Sequence, residues 1–145
     1  MSFKKKVDKY YLKTIHEVIQ VGHWITDQVS DELKEFGITE PQYNVLRILK
    51  KNKDKEISVQ DIQKKMFQKS SNVSRIIDKL LEKEYVDRAE SSGNRRKVDI
   101  SLTKKGNRSL KVLDEKVYEF HLNIQKKLKK DDLSDLLRIL GKIEQ

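Results

Sequence analysis

Apolar residues in this chain follow two rhythms. Over most of its length they return every three or four positions, the period of one helix face. Over one short stretch Val98, Ile100 and Leu102 alternate with Lys97, Asp99 and Ser101, the period of a half-buried strand. The first helical rhythm runs from about Lys5 to Ser30, through Tyr11, Ile15, Val18, Gly22, Ile25 and Val29, a heptad-like seam of the kind that pairs with another helix. A shorter piece, Asp31 to Phe36, follows, and Gly37 can close it as a left-handed cap. Thr39, Pro41 and Gln42 together read as a helix start: a capping threonine, a proline in the first turn and a glutamine that completes a capping box. That helix extends to about Lys51, with Tyr43, Val45, Leu46, Ile48 and Leu49 available for packing.

Ser58 and Asp61 make a second box-like start for a short helix that ends near Phe67, with Val59, Ile62 and Met66 inward. A three-residue connection, Gln68 to Ser70, leads to the next helix, which begins near Ser70, Ser71 and Asn72 and ends near Glu84 and Tyr85. Val86 to Glu90 is a short strand, Ser91 to Asn94 has turn chemistry, and Arg95 opens the returning strand. Thr103 caps a second long helix through Leu110, Leu113, Val117, Phe120, Ile124 and Leu128, closed by Lys129 and Lys130. Asp131 and Asp132 open the last helix, whose stripe is Leu133, Leu136, Leu137, Leu140 and Ile143.

The expected fold is therefore mainly α with a small β-hairpin wing: a winged helix-turn-helix with N- and C-terminal dimerisation helices. We expect one domain over residues 1–145. Residues 38–103 form a winged-helix DNA-binding lobe, and residues 1–36 and 104–145 supply the dimerisation helices. The terminal seams carry more apolar surface than one small lobe can cover, so a two-fold homodimer is the economical arrangement. Such a dimer presents two reading helices about one DNA turn apart, ~34–36 Å, and calls for a palindromic site.

The helix after Ser70 sets Val73, Ile76, Ile77, Leu80 and Leu81 on one side and Ser71, Ser74, Arg75, Asp78 and Glu82 on the other. Small hydrogen-bonding residues and an arginine at a helix N-terminus suit base edges and phosphates in a major groove. The candidate contacts to double-stranded DNA are Ser70, Ser71, Asn72, Ser74, Arg75 and Lys79 on this helix. Arg88, Asn94, Arg95, Arg96 and Lys97 add contacts from the hairpin, aimed at backbone or minor groove. Arg75 is the candidate for a bidentate guanine contact, and Asp78 is read as an ion-pair partner. The charge balance points the same way. The net charge is +9, and residues 64–105 hold twelve bases against six acids, six of the nine surplus charges.

The run from Ser58 through Leu80, the Arg95–Arg96 pair, and Ile100 to Gly106 resemble the MarR (multiple antibiotic resistance regulator) family. With the long helix on each side, the resemblance covers nearly the whole chain. The resemblance implies a cytoplasmic transcriptional regulator, most often a repressor, released from its operator by a small aromatic or phenolic effector bound between dimer helices and lobe. It places His16, Gln20, Trp24, Tyr43 and Arg47 in that pocket, against the plainer reading of Trp24 and Tyr43 as core. In one respect the chain departs from the family: the wing usually carries Asp-x-Arg, and here Asn94 replaces the aspartate while Arg96 remains.

Other classes have less support. The chain has no cysteine, which rules out disulfides, thiolate zinc sites and thiol-based peroxide sensing. His16 and His23 are seven residues apart, about 10.5 Å along a helix, too far for one ion, so no metal is expected. There is no phosphate-cradling glycine loop, no His-Glu-x-x-His and no enzyme constellation, and no cofactor is implied. No stretch reaches the ~20 apolar residues of a membrane span. The rival readings are a helical dimer that docks a protein partner and a non-specific nucleoid-type DNA binder.

Overall fold

The computed structural model describes residues 6–91 and 93–145, and at residues 94–96 the backbone alone. The expected helix start near Lys5 and the turn residue Ser92 lie outside the described residues.

The chain runs α1 (Lys9–Leu33), a single 3-10 turn (Lys34–Phe36), α2 (Glu40–Lys51), α3 (Val59–Lys65), α4 (Val73–Glu82), β1 (Val86–Ser91), β2 (Asn94–Leu102), α5 (Lys104–Gln125) and α6 (Lys130–Ile143). The two strands form one antiparallel ribbon with Val86 opposite Leu102, Arg88 opposite Ile100 and Glu90 opposite Val98. The pairing shifts between Glu90 and Ser91, so that Ser91 faces Asn94. This is a winged helix between long terminal helices.

Local chemistry accounts for most boundaries. Thr39 and Gln42 close a reciprocal capping box on α2 with Pro41 in its first turn, and Ser58 and Asp61 do the same on α3. The Thr103 side chain caps α5 by accepting from the Gly106 N–H at 2.9 Å. Gly37, at φ 65°, ends the first helical stretch in the left-handed conformation that glycine adopts without a Cβ clash.

Several boundaries differ from those the sequence suggests. Helix α1 begins at Lys9, capped by Asp8, and continues past Ser30 to Leu33, because no left-handed residue stops it before Gly37. Only Val29 of its expected seam is buried within the protomer; Ile15 and Ile25 are half-buried, and Tyr11, Val18 and Gly22 are exposed. Helix α4 begins at Val73 with Asn72 as its cap, rather than at Ser70, and the connection from α3 is residues 66–72, not three residues. Met66 leaves the helix in an extended conformation so that its side chain can enter the core, which lengthens the turn. Helix α5 stops at Gln125. Lys129 caps α6 instead of closing α5, because the Asp132 carboxylate accepts from the Lys129 N–H at 2.7 Å and draws the helix start back.

The core lies under the reading surface. Leu33, Val45, Leu46, Ile62, Met66, Val73, Ile77, Leu80, Val86, Ile100, Leu110 and Leu113 are its most deeply buried side chains. The apolar back of α4 is thus anchored by Val73, Ile77 and Leu80. The terminal helices differ: α6 buries none of its residues, and Leu136, Leu137 and Ile143 are exposed. Among the described residues, no helix is long and apolar enough to cross a membrane.

Candidate nucleic-acid interface

The outward side of α4 is built from its N-terminus. The Asn72 side-chain oxygen accepts from the Arg75 N–H at 3.2 Å, so Asn72 spends its acceptor on the cap and leaves only its amide N–H2 group for a ligand. Gln63 steadies the turn that precedes it. Its side-chain N–H2 donates to the Lys69 carbonyl at 2.8 Å and the Ser71 carbonyl at 2.9 Å. Buried Asn44 adds a second tie by accepting from the Phe67 N–H at 3.1 Å. These two amides position α4, and neither stood out in the sequence.

Ser70, Ser74, Arg75 and Lys79 are exposed and Ser71 is half-buried. The Arg75 side chain makes no ion pair or hydrogen bond among the described residues, so its guanidinium is available in full. Lys79 pairs with Glu82 at 3.5 Å and Arg88 with Asp78 at 3.1 Å, both at exposed sites where such pairs are weak and easily exchanged for a phosphate. Asp78 is thus an ion-pair partner, and Arg88 ties β1 to α4. Lys97 is exposed on β2. The side chains of Asn94, Arg95 and Arg96 lie outside the described residues; their backbone opens β2 beside the turn.

Two of the five expected pocket residues come together. Tyr43 and Arg47 line a cavity of about 320 Å³ with Ile25, Glu40, Tyr118 and His121 among its walls. His16, Gln20 and Trp24 do not reach it. All three are exposed on α1: His16 and Gln20 lie one or more turns before the cavity, and Trp24, next to the lining residue Ile25, points off its face of the helix. Trp24 instead packs edge-on against Phe120 at 5.7 Å.

Three residues of the cavity lining, Tyr43, Arg47 and Tyr118, are tied together with Asp114. The Tyr43 hydroxyl donates to Asp114 at 2.6 Å, Arg47 donates to the other Asp114 oxygen at 3.1 Å, and Arg47 also donates to the Tyr118 hydroxyl at 2.7 Å. Burial, reinforced by Asp114, pushes the Tyr43 phenol well above its ordinary range, so it remains a donor. Burial works against the Arg47 charge, but Tyr118 and Asp114 more than offset it. Glu40 is raised by burial. Asp114, Tyr118 and His121 were missed in the sequence, although their spacing of four and three on one long helix traces a polar strip beside the apolar one.

This arrangement can be set against known proteins. Residues 38–98 match the family model described as MarR family. Those residues form a MarR-family domain. The domain begins just after the first helical stretch and takes in α2 to α4 and most of the ribbon. SarZ of Staphylococcus epidermidis, an HTH-type transcriptional regulator, is 30% identical over 91 residues, which are 63% of this chain and 60% of SarZ. The chain thus spans less than two thirds of that curated relative. Beyond the MarR-family domain the likeness is one of fold. AbsC, a MarR family transcriptional regulator from Streptomyces coelicolor, superposes with a TM-score of 0.84 at 22% identity, covering 97% of this chain and 96% of AbsC. The S. aureus MepR-DNA complex superposes with a TM-score of 0.77 at 20% identity over 95% of this chain and 97% of MepR.

Proposed function

We propose that this chain is a homodimeric, sequence-specific DNA-binding transcriptional regulator of the MarR type, acting as a repressor on a palindromic operator. The observation that carries the reading is α4: an apolar back locked into the core and an outward face on which Ser74 and Arg75 stand exposed beside a basic ribbon. Ser70, Ser71, Ser74 and Arg75 face base edges and phosphates, the Asn72 amide donates to a phosphate, and Lys79, Arg88, Asn94, Arg95, Arg96 and Lys97 extend the contact along the backbone and into the minor groove. The names of SarZ and of the MepR-DNA complex support the same partner.

Dimerisation follows from the chain ends. A helix such as α6, with an apolar stripe and no buried residue, requires a covering surface, and a second copy supplies one from the exposed apolar positions of α1, α5 and α6. Residues 38–103 serve as the reading lobe, and residues 1–36 and 104–145 as the dimerisation helices. A small aromatic or phenolic effector would act at the cavity by Tyr43 and Arg47, between α2 and α5. It releases DNA only if it binds the DNA-incompetent lobe spacing more tightly than the competent one.

Selection of bound sequences from a random duplex pool, at salt high enough to suppress non-specific binding, tests the reading. The expected product is an inverted repeat with half-sites about one turn apart. On that site Arg75→Ala costs about 1–3 kcal/mol and relaxes base preference at one position per half-site. Strong low-salt binding without enrichment would replace the reading with a non-specific binder, and no binding at any salt would replace it with a protein-docking dimer.

A further inference from the structure

The ribbon is held from outside. Residues 56–58 run as extended chain between α2 and α3, without joining the sheet, and touch the ribbon at three points. The Ile57 N–H donates to the Asp99 carboxylate at 2.8 Å, the Ile100 N–H donates to the Ile57 carbonyl at 2.9 Å, and the Ser91 hydroxyl donates to the Glu56 carboxylate at 2.7 Å. The first two fix the middle of β2. The third reaches β1 at its last residue, beyond the shift in pairing between Glu90 and Ser91. An irregularity there interrupts the ladder, and a two-stranded ribbon has little stability of its own. Among the described side chains, Glu56 is the one that ties β1 down past that point. A cleft of about 280 Å³ runs beside it, with Asp61 and Lys97 on its walls.

We propose that Glu56 is a positioning residue for the wing: by holding Ser91 it sets the angle at which the basic end of the ribbon meets the DNA backbone. The proposal rests on the DNA-binding reading above. It carries a distinctive sign. Glu56 is a negative charge next to a DNA-facing surface, and on charge alone its removal strengthens binding to a polyanion. As a positioning residue it does the reverse: its removal weakens binding although the protein becomes more positive.

The test uses the full-length protein and the duplex recovered by the selection above, extended on both sides by flanking sequence. Glu56→Ala is expected to weaken binding about 3–10-fold, the scale of one lost hydrogen bond. It should also erase minor-groove hydroxyl-radical protection in the flanks while leaving protection of the half-site core intact. Glu56→Gln keeps an acceptor for Ser91 and is expected to bind more tightly than Glu56→Ala. Ser91→Ala removes the donor that Glu56 accepts from and should weaken binding in the same direction, and the double variant should lose less than the two single losses summed. Hydrogen exchange without DNA should show faster exchange of the wing amides in Glu56→Ala, with α2 and α4 unchanged. If Glu56→Ala and Glu56→Gln both bind more tightly, or both match wild type with flank protection intact, the proposal is overturned while the DNA-binding reading stands. If the wild-type protein binds no duplex, both fall.

Discussion

Replacing Asp114 tests how α2 and α5 are joined. Its carboxylate accepts from the Tyr43 hydroxyl at 2.6 Å and from Arg47 at 3.1 Å. The aspartate side chain is 13% exposed and the arginine 42%. The two contacts are therefore unequal. Asp114→Ala leaves the hydroxyl of a buried tyrosine without an acceptor, which costs about 1–3 kcal/mol. The half-exposed ion pair is worth only about 0.5 kcal/mol after solvent screening, and Arg47 keeps its bond to Tyr118. The expected loss is about 2–3 kcal/mol, most of it from the tyrosine. Asp114→Asn retains an acceptor for Tyr43 and should lose only about 1 kcal/mol. Tyr43→Phe removes the donor that Asp114→Ala strands, so adding it to Asp114→Ala should cost little more. Urea unfolding at one fixed protein concentration, read as a midpoint shift at constant slope, measures all four variants. Equal losses for the alanine and asparagine variants would refute the reasoning, as would strict additivity with Tyr43→Phe, because the bond would then not be what couples the two helices.

Three further outcomes are expected. A Cβ on residue 106 would lie 2.0 Å from the Tyr85 carbonyl oxygen, which already accepts from the Thr103 N–H. Gly106→Ala must therefore shift the start of α5 and should cost about 3 kcal/mol, seen as a large drop in Tm. Glu84 sits at φ 62°, and the bonds from Tyr85 N–H to the Leu80 carbonyl and from Glu84 N–H to the Leu81 carbonyl make this a left-handed cap on α4. Glu84→Gly should accordingly stabilise by about 0.5–1 kcal/mol in thermal unfolding. The Ser58 backbone N–H and side chain hold Asp61 below the ordinary value of 3.8. Because the folded pKa is depressed, the stabilisation is complete above that value and is lost as pH falls through the lower, folded value. The Tm gap between wild type and Asp61→Asn should thus be full at neutral pH and close in acid.

What the sequence made legible was mostly local. The boxes at Thr39 and Ser58 and the caps at Gly37 and Thr103 each depend on residues within a few positions of one another. They formed as read because nothing distant competes with them. The start of α4 was not local. Ser70, Ser71 and Asn72 are all good caps, and the choice among them is made by Met66 entering the core and by Gln63 holding the carbonyls of residues 69 and 71. The end of α5 turned on two competing signals in adjacent residues: Lys129 and Lys130 suit a helix C-terminus, but Asp132 caps more strongly than the dipole repels. The polar wall of the cavity was the least legible. Tyr43 and Asp114 are 71 residues apart, and no periodicity in one helix announces a partner in another. Hence the cavity within the protomer takes in Tyr43 and Arg47, which share a face of α2, and not His16, Gln20 and Trp24. Those three follow the α1 rhythm onto a stretch that the protomer leaves uncovered.

That uncovered stretch bears on how the halves of the molecule communicate. On α1 the buried positions are Val29 and Leu33, and on α5 they end at Val117. Beyond them Val18, Trp24 and Leu122 are exposed. The level at which burial within the protomer stops is also the level of the cavity and of the Tyr43–Asp114–Arg47–Tyr118 group. Below this level, where α4 is anchored, the side chains are buried, and above it the apolar faces are uncovered within the protomer. The polar group is therefore the tie between α2 and α5 at the level where apolar burial gives out. The Arg47 guanidinium is the cation on the cavity wall, but Asp114 and Tyr118 already share it. An acidic effector must replace those bonds to use it. In the proposed regulator, then, effector binding and loosening of the α2–α5 joint draw on the same arginine. The Asp114 variants should accordingly change effector response and stability together, whereas a variant of exposed Lys79 should change neither.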